Sequence, residues 1–226
     1  MRELKNRLKT IESLVPKGAR VADIGTDHGH LPISLVRGKI ASEVIACDIN
    51  EKPLKNAKEN IEKTDTENIV LRLGDGLAPI KPNEVDCVVI AGMGGEVIAG
   101  ILDSCPFIKD KSYTLLLQPM TSADLLRKYL CQNGFSIVSE TAVAEGKRIY
   151  TVIRAAFGGE KTDFSEAFYL CGKLDPKDET ARLYIEKQRK IVLKTLNDLK
   201  SNNMDYAHYE ELESRYFELK SVSAEG

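Results

Sequence analysis

Along residues 1–155, short apolar runs alternate with longer stretches of helical period, and turn residues separate them. The runs predict strands at 20–24, 43–47, 69–73, 85–90 and 113–118. Between them the 3.6-residue period predicts helices at 31–37, 51–62, 95–102 and 122–131. Strands joined through helices pair in parallel, so these five make one sheet with helices on both faces. Two further runs, 135–142 and 148–155, are joined by too few residues for a parallel crossover. One of them must therefore run antiparallel at the sheet edge. The pattern is that of an α/β, doubly wound, Rossmann-like sheet of seven strands.

After Ala156 the pattern changes, with Phe157-Gly158-Gly159 as the break and no strand signal beyond it. The expected division is 1–158 for the sheet domain and 159–226 for a helical one. Tyr209, Leu212, Tyr216 and Leu219 recur at spacings of 3, 4 and 3, as a coiled-coil seam requires. An earlier helix, 176–199, offers Tyr184, Ile191, Leu196 and Leu199 as its partner stripe, with Asn202-Asn203 as the turn.

Composition narrows the class. With 42% apolar and 29% charged residues, the 226-residue chain reads as globular, and no apolar run approaches the roughly 20 residues of a membrane span. Lys plus Arg (32) nearly balances Asp plus Glu (34), which excludes a globally basic nucleic-acid coat but not a basic face. Five cysteines with no C-x-x-C spacing argue against a zinc knuckle or a disulfide framework, and for a reducing, cytoplasmic setting. No metal is expected: His28-x-His30 has no third ligand nearby.

The chemistry gathers at strand ends. In Asp23-Ile24-Gly25-Thr26-Asp27-His28-Gly29, the first strand gives way to a helix, where open parallel sheets bind ligands. Glycine at 25 admits a ligand close to the backbone. The spacing Gly25-x-x-x-Gly29 is not that of a dinucleotide loop, and Asp27 stands where a pyrophosphate would be repelled. An acid there suits a cofactor carrying an ammonium group, which disfavours a nicotinamide oxidoreductase. Asp48, 25 residues after Asp23, can accept both hydroxyls of a ribose, and Gly74-Asp75-Gly76 can meet an adenine edge. Acids at three successive strand ends read as a pocket for S-adenosylmethionine.

The segment from Val21 to Pro32, Ile90-Ala91-Gly92-Met93-Gly94-Gly95 and Leu116-Leu117-Gln118-Pro119 resemble the bacterial tRNA (adenine-22-N1)-methyltransferase family over nearly the whole chain. The resemblance implies a class I methyltransferase sheet with a small C-terminal coiled-coil domain. It also implies S-adenosylmethionine as methyl donor and tRNA as acceptor. Carried over by position, Asp23, Gly25, Asp27, Asp48, Ile49, Asp75, Gly92 and Met93 would line the cofactor pocket. Their loop neighbours Thr26, His28, Asn50, Gly74, Gly76 and Ala91 complete the set. The chain departs from the family at His30, often tyrosine, and at Met120, often asparagine, both on the expected acceptor side.

Amino-group methyltransferases commonly carry Asn/Asp-Pro-Pro-aromatic after the fourth strand to grip an exocyclic amine. This chain has Ala-Gly-Met-Gly-Gly there, which suits a ring nitrogen attacking with its own lone pair. His30 and Asp27 are the candidate general bases. For RNA, the basic residues Arg2, Lys5 and Arg7 near the start, and Lys187, Arg189, Lys190 and Lys194 on the late helix, are the candidate contacts. A monomer is the expected state. The competing readings are a methyltransferase for another RNA or a small molecule, and a non-catalytic RNA-binding module.

Overall fold

A computed structural model describes residues 4–201 and Ser214. The chain runs α1 (Asn6–Leu14), β1 (Ala19–Ile24), α2 (His30–Arg37), β2 (Ala41–Asp48), α3 (Glu51–Lys63) and β3 (Ile69–Leu73). It continues through β4 (Cys87–Gly94), α4 (Gly95–Asp103), a 3-10 turn at Pro106–Ile108, β5 (Thr114–Thr121) and α5 (Ala123–Gln132). The hairpin β6 (Phe135–Glu145) and β7 (Arg148–Phe157) follows, then α6 (Glu166–Cys171) and α7 (Glu179–Ser201).

The seven strands form one sheet in the order β3-β2-β1-β4-β5-β7-β6. β1 to β5 are parallel, and β7 pairs antiparallel with both β5 and β6. The reversed strand of the hairpin is therefore one place in from the edge, and β6 closes the sheet. Alternate residues of the apolar runs feed opposite faces. Val88, Ile90, Leu115 and Leu117 join the layer under α4 and α5, while Cys87, Val89 and Leu116 join that under α1 and α2. Burial on both faces is why these strands read as continuous rather than alternating apolar runs.

Two elements differ from the sequence expectation in ways that matter. The glycine-rich stretch after position 90 is not a loop: β4 continues through Ala91-Gly92-Met93-Gly94 beside Gln118–Thr121, with register shifts on either side of Met93. Gly92, at φ +82°, takes the positive-φ conformation of this irregular stretch. α4 starts at once, at Gly95, where a Cβ would lie 2.1 Å from the Ser122 carbonyl oxygen.

On α7 the buried stripe is Ala181, Ile185, Val192 and Leu196, joined by Tyr184, while Ile191 is half exposed. Ile185, Val192 and Leu196 pack on Ala167 and Cys171 of α6. The expected seam thus slips by one position at Val192, and the side chain of Leu199 is not described. Tyr209, Leu212, Tyr216 and Leu219 lie outside the described residues. All five cysteines are free and buried.

Candidate active site

β1 is flanked by β2 on one side and β4 on the other, so chain order reverses there and a crevice opens beyond its carboxyl end. The strand delivers Asp23 to the floor of that crevice, 6% exposed. The backbone then turns sharply: Gly25, at φ +79°, and Thr26 both donate to the Cys47 carbonyl, at 2.8 and 2.9 Å. The positive φ favours glycine at 25, and a Cβ there would also have to displace the terminal methyl of Met93. His28 (φ +59°) and Gly29 (φ +67°) carry the chain into α2.

Burial pushes the Asp23 carboxyl up to about 6, opposed by the nearby Thr26 hydroxyl and reinforced by the Asp48 charge. The Thr26 hydroxyl, itself buried, makes no hydrogen bond of acceptable geometry. A costly buried acid and an orphaned hydroxyl at a glycine turn fit a ligand bearing a cation and hydrogen-bonding groups. S-adenosylmethionine has both.

Asp48 ends β2, with one carboxylate oxygen accepting the Asn50 amide at 2.8 Å and its carbonyl accepting the Gly74 amide at 3.0 Å. Ile49 beside it is 60% exposed, an apolar side chain free to cover a planar ligand. Asp75 and Gly76 line a neighbouring cavity of about 570 Å³ closed by Val97, Ile101 and Phe107. The three acids therefore stand at the ends of adjacent strands, in the order β3, β2, β1.

A cleft of about 360 Å³ holds Asp23, Gly25, Asp27, His28, His30, Ala91, Gly92 and Met120 together with Lys5 and Arg7 of the first helix region. His30 and Met120, distant in sequence, thus line one cleft. The rings of His28 and His30 stack at 5.6 Å between centroids, and His28 Nε2 lies 3.2 Å from the Asp27 carboxylate. Asp27 is 83% exposed at its side chain, so it faces the open cleft.

Sequence reasoning missed Gln118, quoted above only as part of a motif. It is fully buried within β5, donating to the Pro119 carbonyl at 2.8 Å and accepting from Arg7 Nη1 at 2.5 Å. A polar residue inside Leu115-Leu116-Leu117-Gln118-Pro119 was the available signal.

The basic residues separate into three groups. Arg7 is bound inside the cleft. Lys187, Lys190 and Lys194 share one face of α7 with the exposed Leu183 and Ile191, and Arg189 pairs with Glu186. Arg2 lies outside the described residues. Lys187 also lines a cavity of about 190 Å³ with Met120, Ser122 and Tyr150, so the α7 face begins where the cleft ends.

Residues 4–153 match the family described as a methyltransferase domain. The tRNA (adenine(22)-N(1))-methyltransferase of Bacillus subtilis is 40% identical over 164 residues, covering 70% of this chain and 68% of that protein. The crystal structure of the B. subtilis m1A22 tRNA methyltransferase TrmK superposes with a TM-score of 0.84 at 31% identity, over 98% of this chain and 99% of that one. TrmK of M. capricolum, solved with its cofactor product S-adenosyl-homocysteine, gives a TM-score of 0.79 at 26% identity, over 99% of both chains. Fold, strand-end acids and full-length likeness agree, and the chain belongs to the tRNA (adenine(22)-N(1))-methyltransferase family.

Proposed function

We propose that this protein methylates N1 of adenine-22 in tRNA, with S-adenosylmethionine as donor. The observation that carries it is Asp23: a buried acid whose charge is eased only by the neighbouring Thr26 hydroxyl, at the switch point of a sheet whose next two strands also end in acids. Asp48 would hold the ribose, Asp75 and Gly76 the adenine edge, with Ile49, Asn50, Gly74 and Met93 packed around them. Asp23, Gly25, Thr26, Asp27 and His28 would surround the amino-acid tail. When bound, S-adenosylmethionine supplies an electrophilic methyl group.

The acceptor needs alignment more than activation. Ala91 and Gly92 line the cleft with no side-chain acceptor for an amine, whereas N1 brings its own lone pair. His30 and Asp27 share the cleft, and either would take a proton from the exocyclic amine as charge develops. Where no proton is taken, Asp27 would stay ionised and favour the cationic 1-methyladenine electrostatically. The adenine must leave its stack to reach this floor.

Lys5, with Lys187, Lys190 and Lys194 on α7, would hold the tRNA by its phosphates. In this reading 1–158 is the catalytic domain and 159–226 the helical domain that steadies the tRNA. One copy carries both cleft and basic face, so the working unit is a monomer acting in the cytoplasm, where its substrate is. Among the described residues no helix is long and apolar enough to cross a membrane.

Labelled methyl from S-adenosylmethionine, incubated with the protein, bulk tRNA and a small-metabolite extract, should be trapped on tRNA. Label on small molecules instead would establish a small-molecule methyltransferase, and cofactor binding with no transfer a non-catalytic module.

A further inference from the structure

A second, smaller cavity lies beside the cleft, between the end of β5, the start of α5, β7 and α7. Its volume is about 190 Å³, below the roughly 300–1,000 Å³ that a whole small molecule fills. It therefore suits one part of a ligand whose remainder lies elsewhere. Met120 lines both this cavity and the cleft, so the two are neighbours across one side chain. The thioether is held in place, with Sδ 3.4 Å from Arg7 Nη1 and 3.8 Å from Gln118 Nε2.

The charged residues of the lining are one of each sign, Asp124 and Lys187. Lys187 is exposed at the rim, whereas Asp124 is half-buried and repels a phosphate from the interior. That leaves a neutral group with hydrogen-bonding edges as the occupant. Arg127 Nη2 donates to Thr151 Oγ1 and to the Tyr184 hydroxyl, at 3.4 Å each. A hydroxyl that accepts keeps its own proton to give. The Gln188 amide adds a donor and an acceptor, and Asp124 a further acceptor. Among the described residues the side chains of Asp124, Lys187 and Gln188 have no hydrogen-bond or ion-pair partner. Mixed donors and acceptors around a small neutral hole are what the edge of an unstacked nucleobase requires.

With adenine-22 in the cleft, the group that reaches this cavity is a neighbour in the same RNA strand. Turning one base out deprives the next of a stacking partner, which makes the next cheaper to displace. An apolar Met120 between the two offers both a surface in place of the lost stack.

We propose that this cavity takes the base of a nucleotide flanking adenine-22, held by Gln188, Asp124 and the Thr151 and Tyr184 hydroxyls. Met120 stands between the two bases, and Lys187 meets the phosphate that joins them. The inference rests on the tRNA reading above and names the part of the substrate beside its target. It gives α7 a share in choosing the substrate as well as in holding it.

Methyl transfer to tRNAs carrying an abasic site on one or the other side of adenine-22 tests it. For wild type, kcat/KM should fall about tenfold or more with one of the two. Gln188→Leu should weaken transfer to intact tRNA and remove most of that abasic penalty. Lys194→Met, on α7 but outside the cavity, should lower kcat/KM for intact and abasic tRNA equally. Both variants should bind S-adenosylhomocysteine as wild type does, and thermal melts confirm their folding. The wild-type comparison needs no variant, so it stands even if Gln188→Leu folds poorly. A wild type that methylates both abasic tRNAs as fast as the intact one overturns the proposal. So does a folded Gln188→Leu protein that keeps the full penalty. A wild type that transfers no methyl to intact tRNA instead overturns the tRNA reading itself, and this inference with it.

Discussion

Among the described residues two carboxylates are buried, Asp23 and Glu140, and the molecule treats them in opposite ways. Glu140 on β6 meets Arg127 of α5 through Nε at 3.1 and 3.2 Å and Nη2 at 2.5 Å, and also accepts the Lys173 amide at 3.1 Å. Arg127 spends its other edge on the Tyr169 and Leu170 carbonyls, at 2.6 and 3.0 Å, with Tyr184 of α7 against its face. Burial disfavours this guanidinium's charge, but Glu140 and Tyr184 more than restore it and its pKa rises. Asp23 has no such partner, and burial raises its carboxyl to about 6. A buried charge satisfied from within ties elements together; one left short marks where a ligand completes the structure.

The largest effect should follow from breaking the satisfied pair. Arg127→Met leaves Glu140 buried without its cation, at a cost of about 3–5 kcal/mol. For a chain of this size that lowers Tm by roughly 10 °C or more. Replacing both partners, Arg127→Met with Glu140→Leu, should recover most of the loss in the same thermal melts. Failure of the double variant to recover would mean that the carbonyl contacts to α6, and not the charge pair, hold the helices to the sheet.

Asp23→Asn should do the reverse. It removes a charge that is costly to bury, so Tm holds or rises, while affinity for S-adenosylhomocysteine drops about ten- to hundredfold by calorimetry. The pH dependence carries the same contrast more subtly. Below about 6 the unliganded Asp23 is protonated, and an ammonium ligand favours its ionised form. Affinity should therefore rise from pH 5 to pH 7, with up to one proton released on binding. In Asp23→Asn that slope should vanish. The unliganded protein should show the opposite trend, because the native state holds this proton more tightly than the unfolded chain. Its stability should fall as pH rises from about 4 to 6. An affinity that is flat with pH in the wild type would remove Asp23 from the ligand.

The cofactor-facing half of this contrast was legible in the sequence because its signals are local. Asp23, Asp48 and Asp75 each close an apolar run, and a sheet of known winding must bring such ends together. The other half was not, because its partners are set by tertiary packing. Arg7 reads as one more basic residue until Gln118 and Glu145, 111 and 138 positions away, close around it. Arg127 and Glu140 look like surface residues of a helix and a strand, and only α6 and α7 bury them. The α7 stripe slipped from Ile191 to Val192 for the same reason: an amphipathic helix offers two adjacent apolar rows, and the neighbour chooses. The extension of β4 through Gly92 was hidden by glycine's weak strand preference, which the pairing with β5 overrides.

The chemistry claimed for Ala91 and Gly92 is tested most directly by the identity of the product nucleoside. tRNA methylated by the purified protein, digested and separated by chromatography before any alkali treatment, should yield 1-methyladenosine and no N6-methyladenosine. The two share a mass but not a retention time. Fresh N6-methyladenosine would contradict both the ring-nitrogen mechanism and the role given to a lining without an amine acceptor.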